Sequence, residues 1–125
     1  MGFPSPTQDY AEQRISLDRE IIVHPNSTYF MRMHGSAMID AFIPHNALLV
    51  VDRSLPPENM DIVVAVVEGE FWVRYLQLNE DGTKLLAGNQ KMPDFTMTSE
   101  MGVHIWGVVV AIVVEPKKMK NVRTY

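Results

Sequence analysis

The chain has 125 residues, a formal net charge of −4 and no cysteine. This length is typical of one domain, and the 46% hydrophobic and 21% charged composition indicates a globular chain rather than a disordered one. The acidic balance argues against a strong binder of phosphate backbones, and the lack of cysteine excludes disulfides, thiolate metal sites and a cysteine nucleophile.

No targeting segment is predicted. The first ten residues hold two prolines and no apolar core of a signal peptide. The longest apolar stretch, residues 108–114, is far shorter than the roughly 20 residues that a membrane-spanning helix needs. We therefore expect a soluble, cytoplasmic protein.

Three regions are predicted along the chain. Residues 1–8 are rich in Pro, Ser, Thr and Gly and predict an extended N-terminal arm. Residues 9–116 form the single folded domain, beginning with a short helix at residues 9–14 for which Asp9 is the N-cap. Residues 117–125 are a basic tail, which we interpret as a solvated end.

The folded domain is predicted to consist mainly of strands. A strand at residues 29–33 leads into a short helix at residues 36–42, in which Met38 and Phe42 would face the core. Asp81 and Gly82 indicate a hairpin with a type I′ turn. Gly107 inside the last strand marks a bulge or a close backbone approach. The total of about seven strands and one or two short helices predicts a mainly β fold, such as a partly closed barrel. The remaining strands are expected at residues 47–52, 61–67, 70–78, 83–87, 95–98 and 104–114.

Residues 33–40 (Met-His-Gly-Ser-Ala-Met-Ile-Asp) are the candidate chemical site. A strand that meets a glycine, two small residues and an apolar pair can present one side chain at the start of a short helix. Free backbone N–H groups there can hold an oxyanion. The pattern alone is common in loops, so the flanking sequence is needed to tell whether it marks a functional site.

With these flanks the chain resembles the LexA/UmuD family of Ser–Lys peptidases. Residues 2–6 (Gly-Phe-Pro-Ser-Pro) resemble the N-terminus that self-cleavage leaves in UmuD, so we expect the chain to correspond to a processed form. The resemblance covers nearly the whole chain, because further motifs follow in the family's order at residues 9–15, 24–30, 38–40, 48–52, 61–63, 69–71, 76–78 and 106–109. It implies an irregular, curled β-sheet domain that associates in pairs.

Two positions depart from the family pattern. The nucleophilic serine of the family stands immediately before a methionine, and here Ala37 precedes Met38. The general-base lysine follows Gly-Glu-Phe-x-Val, and here that position is Arg74. Alanine has no hydroxyl, and arginine keeps its proton at any ordinary pH, so either change should stop the reaction.

Several other residues allow both a structural and a functional interpretation. Ser36 is one residue from the nucleophile position, so we do not expect it to attack a carbonyl. Arg74 is either a solvated strand residue or, as we favour, a structural residue in the lysine position that pairs with Asp40 or Glu70. The nine methionines either pack in the core or line an adaptable face. Trp72 and Trp106 are expected in the core or at a dimer interface. The four histidines show no metal-ligand spacing, and no metal or cofactor is expected: His24, His34, His45 and His104.

The resemblance implies an SOS-response protein that acts as a dimeric accessory subunit of an error-prone translesion DNA polymerase. Its expected partners are a UmuC-like Y-family polymerase subunit and the RecA filament, with DNA met mainly through them. Two alternatives stay open. One is a RecA-stimulated self-cleaving peptidase inactivated by substitution. The other is a pseudopeptidase that forms heterodimers with active relatives.

Overall fold

The computed structural model describes residues 15–98 and 102–119. The predicted arm, the predicted helix at residues 9–14 and the tail beyond residue 119 lie outside the described residues. The described chain forms one antiparallel sheet in the order β1-β2-β7-β3-β4-β5-β6. Its strands are β1 (Thr28–Arg32), β2 (Leu48–Asp52), β3 (Ile62–Val67), β4 (Glu70–Asn79), β5 (Gly82–Leu86), β6 (Phe95–Thr96) and β7 (His104–Val113).

The mainly β prediction is therefore confirmed, but the sheet is not closed into a barrel. The outermost strands, β1 and β6, each pair with one neighbour only within the described residues. One short helix, α1 (Leu17–Ile21), precedes the sheet, and single 3-10 turns lie at Pro25–Ser27, Ile39–Ala41 and Pro116–Lys118. No helix in the described part of the chain is long and apolar enough to cross a membrane.

The position of β3 in the sheet explains why apolar and polar residues do not alternate in its sequence. It lies between β7 and β4 and is buried on both faces. Val64 belongs to one hydrophobic cluster, while Val63 and Ala65 belong to the cluster on the other face. A strand buried on both faces needs apolar residues at consecutive positions, which the run at 62–67 supplies.

Gly107 is a point of close approach, as predicted. A Cβ atom added there would lie 2.6 Å from Cγ1 of the buried Val51 on β2. The pairing of β7 with β3 changes register beside it, because Val64 pairs with Gly107 and Ala65 with Ile105. Trp106 is therefore the extra residue of a bulge.

One of the two hairpin turns differs from the sequence prediction. The type I′ turn lies at Glu68 and Gly69, where both φ angles are positive, at 51° and 83°. The β4–β5 turn has Glu80 and Asp81 between the paired residues Asn79 and Gly82. Neither of its two central residues has a positive φ, so the expected type I′ turn at Asp-Gly is wrong. Gly82 instead follows the turn, with a φ of 132°.

Candidate functional site

A cleft of about 600 Å³ lies between the segment that follows β1 and the first half of β4. This volume is in the range of small-ligand or peptide-side-chain pockets. The cleft is lined by the last two residues of β1, the segment that follows it, the first half of β4 and one loop residue: Met31, Arg32, Met33, His34, Gly35, Ser36, Ala37, Phe71, Trp72, Val73, Arg74 and Met92.

The segment after β1 is fixed by backbone hydrogen bonds to the turn that precedes β2. The Met33 amide donates to the Ala47 carbonyl at 2.9 Å, and the Asn46 amide donates to the Met33 carbonyl at 2.8 Å. The chain then turns at Gly35, whose φ is 88° and whose amide donates to Nδ1 of His45 at 2.9 Å. These contacts place Ala37, which is 7% exposed, at the wall of the cleft.

The helical prediction for residues 36–42 was half right. Met38 is fully buried, as expected, and belongs to the hydrophobic cluster under the sheet. The segment makes only a 3-10 turn at Ile39–Ala41, and Phe42 has a left-handed φ of 64°. Its side chain is 87% exposed, so the expectation that Phe42 faces the core is wrong. The left-handed conformation of Phe42 ends the turn, so the second helical turn that would direct its side chain to the core does not form.

A loop at residues 88–90 holds this segment from the other side. The Asp40 amide donates to the Gly88 carbonyl at 2.7 Å, and the Gln90 amide donates to Oδ2 of Asp40 at 3.2 Å. Nδ2 of Asn89 donates to the Ser36 carbonyl at 2.9 Å. A Cβ atom on Gly88 would lie 3.0 Å from Cβ of Ala41, so glycine permits the close packing. The sequence indicated a loop at residues 88–93 but not its contacts with Ser36 and Asp40, for which the Gly-Asn pair was the only signal.

Ala37 and Arg74, predicted to replace the nucleophile and the base, line the same cleft. The Arg74 side chain turns back on its own strand. Its Nη1 donates to the Val73 carbonyl at 2.8 Å, and its guanidinium lies 4.9 Å from the centre of the Trp72 ring. It forms no ion pair with Asp40 or Glu70 among the described residues, so the expected pairing is wrong. Partial burial lowers the pKa of Arg74.

Ser36 also lines the cleft, but nothing there activates it. Its carbonyl accepts from Asn89, while its hydroxyl makes no hydrogen bond with any described lysine or histidine. A serine nucleophile needs a neighbouring base to take its proton. The described contacts therefore supply none of the chemistry that an attack by Ser36 would require.

The histidines are less scattered than the sequence suggested. The ring of His34, which lines the cleft, lies 5.3 Å from the ring of His45, centre to centre. Nδ1 of His24 lies 2.6 Å from Oδ2 of Asp52 on β2. The turns before and after β1 bring these residues, which are distant in sequence, close together. No group of three or more metal-binding side chains occurs in the described residues.

Asp52 is the one buried charged residue in the described part of the chain, at 3% exposed. Its Oδ1 accepts from the hydroxyl and amide of Ser54 at 2.6 and 2.8 Å. Burial alone would raise its pKa, but the hydrogen bonds from Ser54 and His24 outweigh burial and lower the pKa to about 2. The carboxylate thus ties the segment before β1 to the end of β2.

The chain belongs to the Peptidase S24-like family, whose model matches residues 1–110, and its mainly β fold is consistent with a domain of that family. Among its relatives is Protein MucA of Salmonella typhimurium, 40% identical over 115 residues, which cover 91% of this chain and 78% of MucA. Protein ImpA of Escherichia coli is 36% identical over 119 residues, which cover 95% and 81%.

A third relative is LexA repressor 1 of Geobacter sulfurreducens, 34% identical over 112 residues. The match covers 89% of this chain but only 55% of the repressor. The resemblance to the LexA/UmuD family is therefore confirmed, and the UmuD-like relatives are matched over more of their length than the repressor is.

Proposed function

We propose that this chain is a UmuD-like SOS-response protein that acts by binding partners and not by cutting peptide bonds. One observation carries the proposal: Ala37 and Arg74, which stand where the family resemblance places the serine and the lysine, line the same cleft. The similarity to MucA and ImpA, which are UmuD-like proteins, supports the SOS role.

The chemical argument rests on the two side chains. Ser–Lys catalysis needs a hydroxyl that attacks and an amine that takes its proton. The methyl group of Ala37 offers no attacking atom. Arg74 stays charged at any ordinary pH, and its Nη1 is already bonded to the Val73 carbonyl. The cleft thus lacks both reacting groups.

As a binding protein, the chain would work as a dimeric accessory subunit of an error-prone translesion polymerase. Its partners would be a UmuC-like Y-family polymerase subunit and the RecA filament, and DNA would be met mainly through them. The net charge of −4 agrees with contact to DNA through partners. Several large apolar side chains are exposed and available for such contacts, among them Tyr29, Phe30, Ile39, Phe42 and Phe71.

Co-purification tests this function. A tagged copy of the chain would be expressed with a UmuC-like Y-family subunit, and an unrelated acidic domain of similar size with the same tag would serve as control. We expect the polymerase subunit to be retained with this chain, in dimers, and not with the control. Failure to retain the subunit would contradict the accessory role. Heterodimers with an active UmuD or LexA relative, formed in preference to homodimers, would favour the pseudopeptidase alternative.

A further inference from the structure

Two histidines lie side by side where the chain turns out of β1. The ring of His34 is 5.3 Å from the ring of His45, centre to centre, and the two ring planes are tilted by 49°. Both residues are exposed, so protons from the solvent can reach them. Imidazole is the side chain whose charge changes between about pH 5 and pH 8. A change of pH in this range therefore acts directly on this histidine pair.

The hydrogen bond from Gly35 requires one particular form of the His45 ring. The Gly35 amide can only donate, so Nδ1 of His45, 2.9 Å away, is the acceptor. A ring nitrogen accepts only when it carries no proton, so neutral His45 holds its proton on Nε2. In the imidazolium form both ring nitrogens are donors. The bond from Gly35 can therefore exist only while His45 is neutral.

No acidic side chain of the described residues pairs with either ring of the histidine pair. The charged groups that line the cleft together with His34 are Arg32 and Arg74, both cations. Two carboxylates belong to neighbouring segments, but each already has a contact. Glu115 lies 3.9 Å from Arg32, and Asp40 accepts from the Gln90 amide. Positive charge on the histidine pair would therefore be added beside other cations and would be repelled by them.

The corner between Met33 and Ser36 depends on the bond to His45. Met33 is bonded to the turn before β2 through both its amide and its carbonyl, and the Ser36 carbonyl accepts from Asn89. Between these two anchors, the bond to His45 is the one hydrogen bond of residues 34 and 35 within the described part of the chain. Gly35 has a φ of 88° and no Cβ that would confine it to this conformation. Loss of the bond would therefore free residues 34–35, while their neighbours stay in place.

We propose that His45 makes the corner at residues 34–35 sensitive to pH: neutral His45 holds the Gly35 amide, and protonation of its Nδ1 releases that amide. Stabilisation by this bond is complete where the imidazole is neutral and is lost as the pH falls through the range in which the ring takes up a proton. Repulsion within the protonated histidine pair acts in the same direction.

The cleft would feel this change, because His34 and Gly35 are part of its lining. At mildly alkaline pH the corner is bonded to the turn before β2, and at mildly acidic pH the same stretch of wall is looser. The anchors at Met33 and Ser36 confine the change to these two residues. The proposal does not depend on whether the chain binds a polymerase subunit.

NMR of the full chain between about pH 8 and pH 5 tests the proposal. At the alkaline end, ring nitrogen shifts should show the His45 tautomer with its proton on Nε2. As the ring takes up a second proton, the Gly35 amide proton should shift upfield. Its protection against solvent exchange, corrected for the intrinsic pH dependence, should fall by about fivefold, as for one lost hydrogen bond. A neutral His45 with its proton on Nδ1, or a Gly35 amide that does not titrate together with the His45 ring, would overturn the proposal.

Variants separate the bond from a general effect of pH. His45→Asn supplies an acceptor oxygen that does not titrate, so the Gly35 amide should stay bonded across the whole range. His45→Phe removes the acceptor, so the amide should be unprotected at every pH. His104→Asn is the matched control, because His104 is exposed and makes no side-chain hydrogen bond or ion pair with the described residues.

The control should titrate at Gly35 as the wild type does. A Gly35 response that persists in His45→Asn, or that disappears in His104→Asn, would overturn the proposal. The wild-type titration decides the question even where a variant fails to fold.

Discussion

Arg74 stands where the family resemblance places the general-base lysine, and its side chain has a different chemistry. A lysine could release its proton when partly buried, but a guanidinium meets the same burial by bonding the Val73 carbonyl and lying over Trp72. The position becomes a fixed positive charge rather than a base. The Arg74 guanidinium thus lines the cleft while one of its donors is bonded to its own strand.

Asp52 is a second residue whose environment sets its behaviour. Asp52→Asn removes a buried carboxylate that accepts from Ser54 and His24, so we expect a loss of about 1–3 kcal/mol in the free energy of unfolding at neutral pH. The folded pKa, about 2, lies below the ordinary value of 3.8. The stabilisation is thus complete above pH 3.8 and declines as the pH falls toward 2.

Denaturant unfolding at a series of pH values from 7 down to 2 checks this prediction. The difference between wild type and Asp52→Asn should shrink as the pH passes below 3.8. Asp81→Asn, which changes an exposed turn residue, serves as control and should give a small difference at every pH. A difference between wild type and Asp52→Asn that grows on acidification would show that Asp52 is not stabilised as a carboxylate.

At the scale of elements, the close approach of the paired strands β2 and β7 at Gly107 limits which side chains fit there. Gly107→Ala would place a Cβ atom 2.6 Å from Cγ1 of Val51, which is buried and has no space to move. We expect Gly107→Ala to cost about 1–3 kcal/mol of stability. Val51→Ala removes the obstructing atom, so Gly107→Ala should cost clearly less in that background.

A double-mutant cycle measured by thermal or denaturant unfolding gives the coupling directly. Additive effects of Gly107→Ala and Val51→Ala would mean that the two strands do not meet as described. The cycle also tests the pairing of β2 with β7, whose register shifts between Val50 and Val51.

The elements also show which parts of the structure could be predicted. The strand runs at Leu48–Asp52 and Ile62–Val67 were recognised, because consecutive apolar residues between turns indicate buried strands. The turn at Glu68 and Gly69 was placed correctly, but its type was assigned to the other hairpin. The αL conformation of Phe42 carried no sequence signal, since a bulky residue at positive φ is uncommon.

Only part of the cleft could be predicted, because side-chain geometry and contacts between distant segments leave no local pattern in the sequence. Ala37 and Arg74 could be aligned to family positions by motif, but whether Arg74 pairs with Asp40 or with its own backbone depends on side-chain geometry. The bonds from the loop at residues 88–90 to Ser36 and Asp40 join segments far apart in sequence. Local patterns do not report such contacts.

At the scale of the whole molecule, an acidic domain contains one cleft with cationic and apolar walls and exposes apolar side chains on its surface. Such a molecule is suited to holding other chains. The open sheet leaves strand edges at β1 and along the first half of β4. The proposed function by association would use this sheet, which in the family presents a Ser–Lys dyad.

The most direct test of the central claim is a cleavage assay with activated RecA filaments at mildly alkaline pH. The substrate is a UmuD-type chain with an intact N-terminal arm, and the enzymes are this chain and its Ala37→Ser, Arg74→Lys double variant. We predict that the chain as it stands does not cut and that the double variant does, because the missing hydroxyl and base are restored. Cleavage by the unaltered chain would contradict the account, since another nucleophile would then have to act in this cleft.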